Sequence, residues 1–514
     1  MEWIQCLLLL LSMAADMGTE SGNKPAAPAG SADSTYYVSK EGSDANPGTS
    51  SKPWKTLQHA ADTVPAGGTV HVRGGVYNEK LKMTRSGSAS KGPIAFVSDG
   101  SDKAIIDGSG LSVTGSEGLV ELSDVEYVTI QGFEIRNYST AARDVVPMGI
   151  YVHGSGSFIQ LVNNDIHDIH NTASPAGEDL RGRDAHGIAV YGTKAPESIH
   201  DITIADNELH HLVLGSSESL VLNGNVDHFV VSGNRIHDND NIGIDLIGFE
   251  GIAPDAEYDQ VRNGVVKENY VYNISANNNP SYGKELPNGS FSAGGIYVDG
   301  GKESVIERNY SYDNDIGIEI ASEHAGRTTD HITVRSNLVY NNRLAGIAIG
   351  GYDDERGSTS HTKIVNNTLY NNDTLEEGSG QLFVQYDTRN NVIQNNIFVA
   401  SASGVLISND YTENAGNVVD HNLYFAKGGP EDAEWTWMTK GYNGFAAYQA
   451  GSGNDAHSRF MDPQFMHAGK GDFRLRAASP AMDTGEALGD MLGTFDLDGN
   501  PRVSGSGVNM GAYE

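Results

Sequence analysis

Asn164-Asp165-Ile166-His167, Asn207-Glu208-Leu209-His210, Asn234-Arg235-Ile236-His237 and Asn269-Tyr270-Val271-Tyr272 are copies of one phrase: Asn, any residue, an aliphatic residue, then His or Tyr. The phrase returns as Asn337-Leu338-Val339-Tyr340 and Asn367-Thr368-Leu369-Tyr370, with looser copies at Asn309, Asn396 and Asn422. Successive copies lie roughly 26 to 43 residues apart, the period of stacked structural repeats. Most are followed closely by a second apolar strand, such as Gly243-Ile244-Asp245-Leu246, Gly295-Ile296-Tyr297-Val298, Gly317-Ile318-Glu319-Ile320 or Gly346-Ile347-Ala348-Ile349. Strand, Asn-rich turn and strand, without helices between, predict an all-β fold, a right-handed parallel β-helix. The coils are expected from about Val70 to Phe425.

The composition agrees. A chain of 514 residues is long for one compact core, but a solenoid grows by adding coils. Gly is abundant at 62 residues and charged residues make up only 20%, as short strands and many turns require. The net charge of -33 repels nucleic acid and anionic membranes and excludes both as partners. It also opposes anionic polysaccharides unless a cation intervenes.

Residues 1–18 read as a secretory signal, with the apolar run Cys6-Leu7-Leu8-Leu9-Leu10-Leu11 before Ala14 and Ala15, although Glu2 is the only charge ahead of that run. The run is too short to span a membrane. Cys6 is the sole cysteine, so the exported chain would have no disulfide or thiol chemistry. These features suit a bacterial extracellular protein, expected as a monomer. Residues 19–34 read as a Pro/Ala/Gly/Ser linker. An N-terminal cap and first coils are expected over 35–110, with a short helix around Pro53-Trp54-Lys55-Thr56-Leu57-Gln58-His59-Ala60-Ala61 plugging the open end. The repeats proper follow over 111–430 and a C-terminal cap region over 431–514. Asp496 and Asp498 fit a turn better than a Ca²⁺ loop.

Alternation along the G-I-x-[VIL] strands turns the aliphatic residues inward and the intervening residues outward. Stacking gives one outward column of Tyr151, Ala189, Val221, Asp245, Tyr297, Glu319, Ala348 and Phe383. A second runs through His153, Tyr191, Asn223, Ile247, Asp299, Ala321, Gly350 and Gln385. The centre of this face gathers Asp245, Tyr297, Asp299 and Glu319 as catalytic candidates. Tyr151, His153, Tyr191, Asn223, Glu323 and His324 flank them as sugar-binding candidates. Insertions at 171–183, 248–259 and 277–291 adjoin the face, as cleft-building loops do. In Asp184-Ala185-His186-Gly187, His186 reads as a cleft-edge acid, base or sugar ligand, and a turn histidine fits the same residues. His167, His210 and His237 recur with the repeat and read as structural. Rung and residue spacings set Asp245, Asp299 and Glu319 backbones roughly 8 to 10 Å apart, near the range of an inverting glycosidase pair. The same three carboxylates could instead hold Ca²⁺.

With the coils placed, the sequence resembles the pectate-lyase-like superfamily, and most closely polysaccharide lyase family 9, over about 350 residues of repeat. That family carries a D-D-G-x-D calcium motif and a lysine base in a G-F-K-L-G-G strand. The matching segments here are Asn241-Ile242-Gly243-Ile244-Asp245 and Gly295-Ile296-Tyr297-Val298-Asp299-Gly300. Asp245 alone keeps a calcium-ligand carboxylate, and Tyr297 stands where the lysine would be. The resemblance implies a secreted enzyme cleaving an acidic polysaccharide by β-elimination, with Tyr297 as base and a cation on Asp245, Asp299 and Glu319. A glycoside hydrolase using two of these three carboxylates fits the residues and the acidic surface better, and a non-catalytic carbohydrate-binding solenoid is the third reading.

Overall fold

Each copy of the asparagine phrase turns the same corner of a coil. The residue before the asparagine lies in the left-handed region, with φ of 56° at Asn163 and Asp206, 59° at Glu268, 55° at Arg308, 52° at Ser336 and 54° at His421. Only some of these residue types favour that conformation, so the corner must be held by something stronger than local preference. It is held by the asparagine that follows. Asn164, Asn207, Asn234, Asn269, Asn309, Asn337, Asn367, Asn396 and Asn422 form one continuous ladder through nine coils. In each step the side-chain oxygen accepts from the backbone N–H and the side-chain amide of the asparagine one coil earlier. Each side-chain amide also donates to a strand carbonyl of the preceding coil, such as Val231 O from Asn269 at 3.0 Å.

The computed structural model describes residues 34–514 except residue 506 and the side chain of Ser101. The expected signal over 1–18 and all of the linker but Ser34 lie outside the described residues, and Ser34 opens the first strand, Ser34–Val38. Around the asparagine corner, two strands per coil join one 24-stranded sheet. The third strand of each coil joins a 13-stranded front sheet, which runs from Leu81–Met83 to Lys440–Asn443. The strands of successive coils pair in parallel, with isolated antiparallel bridges such as Ile247 to Gly300 at their ends, and the antiparallel hairpin of Glu434–Trp437 with Lys440–Asn443 closes the front sheet. The fold is a right-handed parallel β-helix, as expected from the sequence.

The aliphatic residue of each phrase points into the core: Ile166, Leu209, Ile236, Val271, Val339 and Leu369 are fully buried. The looser copies differ at this position. Ser311 donates to Gly317 O at 2.7 Å, so its polar group is satisfied inside, whereas Phe398 and Tyr424 fill wider coils and stack at 5.2 Å. The final His or Tyr of each phrase points outward and stacks on its neighbours. His167, His210, His237, Tyr272, Tyr312 and Tyr340 form one row with ring centroids 4.7 to 5.4 Å apart. These histidines are structural, as expected.

At the N-terminal end, helix α1 (Leu57–Thr63) sits over the first coil, capped by Thr56 Oγ1, which accepts from His59 N. It starts later than the Pro53 expected from sequence, and Trp54 stacks on Tyr36 at 4.9 Å instead. The region expected as a C-terminal cap divides in two. Residues 434–452 close the end, with Trp435 stacked on Tyr448 of helix α2 (Phe445–Ser452) at 5.2 Å. Residues beyond 460 run back along the flank over earlier coils. Ala512 N donates to Thr368 Oγ1 and Gly511 N to Asn395 O. Arg335 reaches Asp490 O, and Phe473 packs on Tyr340 and Tyr370. Asp496 is a turn residue, accepting from Asn500 N at 2.7 Å and Glu514 N at 2.8 Å. Among the described residues no helix is long and apolar enough to cross a membrane.

Asn269→Ala removes four buried hydrogen bonds and leaves Asn234 N without its side-chain acceptor, while Asn309 Oδ1 keeps the Asn269 backbone N–H and Asn234 Nδ2 keeps Ile204 O. Since a buried unpaired group costs about 1–3 kcal/mol and the other bonds are lost with it, the variant should lose about 3 kcal/mol or more in urea denaturation. Hydrogen exchange should rise first in the two adjoining coils. A loss below about 1 kcal/mol would mean that the ladder is decorative.

Candidate active site

The front-sheet register sets the outward columns. Tyr151 pairs with Ala189, Ala189 with Val221, Val221 with Asp245, Asp245 with Tyr297, Tyr297 with Glu319 and Glu319 with Ala348. In the second column His153 pairs with Tyr191, Tyr191 with Asn223, Asn223 with Ile247, and Asp299 with Ala321. Ile244, Leu246, Ile296, Val298, Ile318 and Ile320 alternate with these residues into the core.

Because the strands run parallel, loops before them gather at one edge of the face and loops after them at the other. At the first edge, Lys284 of the 277–291 insertion pairs with Glu178 of the 171–183 insertion at 2.6 Å. Asn279 Nδ2 donates to Gly215 O and Asp240 O, tying in two shorter loops. At the second edge, the 248–259 insertion is braced by Asp259, which accepts from Gly251 N and Ala253 N. Its Phe249 lies under Arg327 and near His324. The face thus lies between two sets of loops, one at each edge. Its outward side chains are buried although they point away from the core: Asp245 is 2% exposed, Tyr297 4%, Asp299 5% and Glu319 6%.

Burial of so many acids in one place has an electrostatic consequence. Glu319 is pushed up to about 8 by burial, then by Glu323 and Asp299. Asp299 is pushed up to about 8 by burial and by Glu323, against the backbone N–H of Glu323, which donates to it at 2.7 Å. Asp245 and Glu218 stand well above the carboxylate range, chiefly through burial, and Glu218 is the charge that acts most strongly on Asp245. Tyr297 is held protonated well above the usual tyrosine range by burial, then by Asp299 and Glu319. Its hydroxyl donates to Glu323 at 3.4 Å. Glu323 is raised by the surrounding wall, but its side chain reaches solvent, which tempers that shift, and Arg356 pulls the other way.

The candidates read from the sequence therefore form two groups. Asp245, Tyr297, Asp299, Glu319 and Glu323 make the acidic centre, with His324 at its rim. Tyr151, His153 and Tyr191 make an aromatic shelf beside it: Tyr151 stacks on His153 at 4.5 Å and meets Tyr191 edge-on at 5.7 Å. Met148, Ala189, Val221 and Ile247 extend this shelf as an apolar patch. Asn223 lies between the groups and donates to Glu250 at 2.6 Å. His186 departs from the cleft-edge expectation. It is 2% exposed, and burial lowers it to about 4. Its Nδ1 faces Glu218 O at 3.1 Å and its Nε2 the Tyr191 hydroxyl at 3.2 Å. A neutral ring donating from Nδ1 and accepting at Nε2 satisfies both, so His186 orients Tyr191 rather than meeting a ligand.

Sequence reasoning missed Glu218, Glu250 and Arg356. All three come from loops, where no repeat predicts direction; the length of the 248–259 insertion was the one signal pointing at Glu250. The expected calcium set does not fit as arranged. Calcium takes six to eight oxygens at about 2.3–2.6 Å. Among the described residues, three ligand atoms lie within 4.8 Å of one another at Asp330–His331–His361 and Asp420–His421–His457 on the outer surface, but not at Asp245, Asp299 and Glu319.

Folded-state values near 8 for Asp299 and Glu319 lie above the ordinary unfolded range near 4, so the folded state binds more protons between these limits. Stability should therefore fall as pH rises from about 4 to about 8. Glu319→Gln should raise the unfolding midpoint at pH 8 and change it little at pH 5, as read by calorimetry. Equal destabilisation at both values would contradict this assignment.

The family described as "Pel9A-like, right handed beta helix region" matches residues 36–194. The protein YwoF of Bacillus subtilis (strain 168) is 46% identical over 448 residues, which is 87% of this chain and 91% of that one. Pectate lyase PEL9 of Emericella nidulans is 34% identical over 122 residues, 21% of this chain and 30% of that protein. Among solved structures, XylC in complex with xylose superposes with a TM-score of 0.51 at 12% identity, over 93% of this chain and 98% of that one, a likeness of fold. The chain belongs to the family of B. subtilis YwoF, within the pectate-lyase-like right-handed β-helix superfamily.

Proposed function

We propose that this protein is an exported carbohydrate-active enzyme that hydrolyses glycosidic bonds in the front-sheet cleft. The observation that carries this reading is the buried Glu319 carboxyl, which keeps its proton up to about pH 8 in a walled cleft beside an aromatic shelf. An acid that is still protonated at neutral pH is what a leaving glycosidic oxygen needs. In this reading Glu319 donates that proton. Glu323, which reaches solvent, accepts from Tyr297 and feels Arg356, is the carboxylate that activates water. Asp245 and Asp299 line the floor beside the sugar, and the Tyr151–Tyr191 shelf holds a neighbouring ring. The apolar run at the start of the chain supports export.

Elimination is the second reading, favoured by the likeness to pectate lyase PEL9 over 122 residues. It asks for a base and for positive charge around a uronate. Tyr297 is held protonated, and the columns contain no Lys or Arg. Hydrolysis needs no positive charge, and its base is the solvent-reaching Glu323 carboxylate.

A polysaccharide panel, incubated with and without Ca²⁺ and chelator, separates the readings. Reducing ends without ultraviolet absorbance from unsaturated uronides are expected, and absorbance would favour elimination. No product from any polymer would leave a binding solenoid. Glu319→Gln should lower kcat by about 10²-fold or more, the usual contribution of a general acid. Tyr297→Phe should cost less. Wild-type activity should fall above about pH 8 as Glu319 loses its proton. Full activity in Glu319→Gln would move the acid elsewhere.

A further inference from the structure

The cleft's own unmet hydrogen bonds describe the ligand. Asp245 Oδ1, Asn223 Oδ1 and Gln385 Oε1 are buried acceptors without a donor, on side chains that are 2%, 1% and 5% exposed. All three stand in the two outward columns. The Asn223 amide is oriented by its donation to Glu250, which leaves its oxygen as the unpaired atom. A buried acceptor left alone is costly, so a ligand that belongs here brings donors. The nearby unpaired donor, Arg356 Nε, lies 3.7 Å from Asp353 and is occupied with its own loop.

Charge narrows the class. Glu218, Asp245, Glu250, Asp299, Glu319 and Glu323 act on one another across the cleft. The Arg356 guanidinium is set against them. Glu218, Asp245, Asp299, Glu319 and Glu323 are already held above the ordinary carboxylate range, and a uronate would add a further negative charge beside them. A neutral sugar brings hydroxyl donors but no charge to balance the acids. A bare metal ion needs ligand atoms converging on one point, and Asp245, Asp299 and Glu319 do not converge. The unmet acceptors are spread along the floor, from the coil of Asn223 to that of Gln385, as an extended ligand requires. An ammonium group supplies three N–H donors and one positive charge together.

We propose that the glycan bound in this cleft is a hexosamine polymer with free amino groups, one ammonium meeting Asp245 Oδ1 and Asn223 Oδ1. This rests on the reading of the front face as a glycan-cleaving cleft. N-acetylation removes the charge and two of the three donors, so the cleft discriminates against the acetylated form of the same polymer.

The test measures binding of the full-length protein to three hexosamine oligomers of different linkage, each as the free amine and as its chemically N-acetylated twin. Oligogalacturonate is the anionic control. At least one free-amine oligomer should bind ten-fold or more tighter than its twin. That difference should shrink in high salt and vanish in Asp245→Asn. Asn223→Ser, with its fold checked by its unfolding midpoint, should reduce the same difference, so the proposal does not hang on one variant. Equal or tighter binding of every acetylated twin, no binding of any oligomer, or preference for oligogalacturonate would overturn it. The two readings fail separately. Reducing ends from a neutral glycan without amine preference sink the amine and leave hydrolysis, whereas amine-dependent binding without reducing ends from any polymer sinks hydrolysis and leaves the amine.

Discussion

The asparagine ladder is the interaction on which the other features depend. A parallel strand can slip against its neighbour by two residues and still present the same face. Here it cannot, because each ladder asparagine must meet the next at hydrogen-bonding distance, as Asn269 meets Asn309 at 3.0 Å. Register at the corner is then carried along the chain into the front sheet. Asp245, Tyr297 and Glu319 share a column on consecutive coils because Asn234, Asn269 and Asn309 share a ladder behind them. The ladder also explains why poor left-handed formers such as Arg308 and Ser336 are tolerated at the corner.

The cleft works against this stability. Its floor buries acids that a folding chain would rather leave in water, and the loop walls that exclude solvent make the burial deeper. The walls are strengthened accordingly, by Asn279 across two loops and by Asp259 within one. A face that served only as a solvated sheet surface would have no reason to carry such bracing.

Much of the architecture could be read from the residues because a solenoid is periodic. The phrase with Asn at its head placed the corners, and alternation from it placed both columns as far as Phe383. Periodicity is silent about everything that leaves the coil. Glu218 lies in a loop, Glu250 in the 248–259 insertion and Arg356 in the loop before Ser358–Ser360, and their directions depend on loop conformations that no repeat constrains. His186 shows a different limit. Its position one strand edge from the cleft was legible, but its depth was not, because depth is set by the walls above it. The return of the tail over earlier coils was not legible: it is held by hydrogen bonds from Gly511, Ala512 and Glu486 and by apolar packing of Phe473, Leu497, Ala481 and Met510, spread over several coils.

That tail changes how the molecule should respond to force and heat. In a plain stack each coil answers only to its neighbours, so an end can fray while the middle stays whole. Here the segment beyond 460 touches Arg335, Thr368 and Asn395, on three successive coils, before ending against Asp496. It acts as a splint, so those coils must open together or the splint must lift first. The C-terminal third is thereby a single mechanical unit, and the cleft, whose acidic centre lies on the coils beside it, borders a part of the molecule that does not fray.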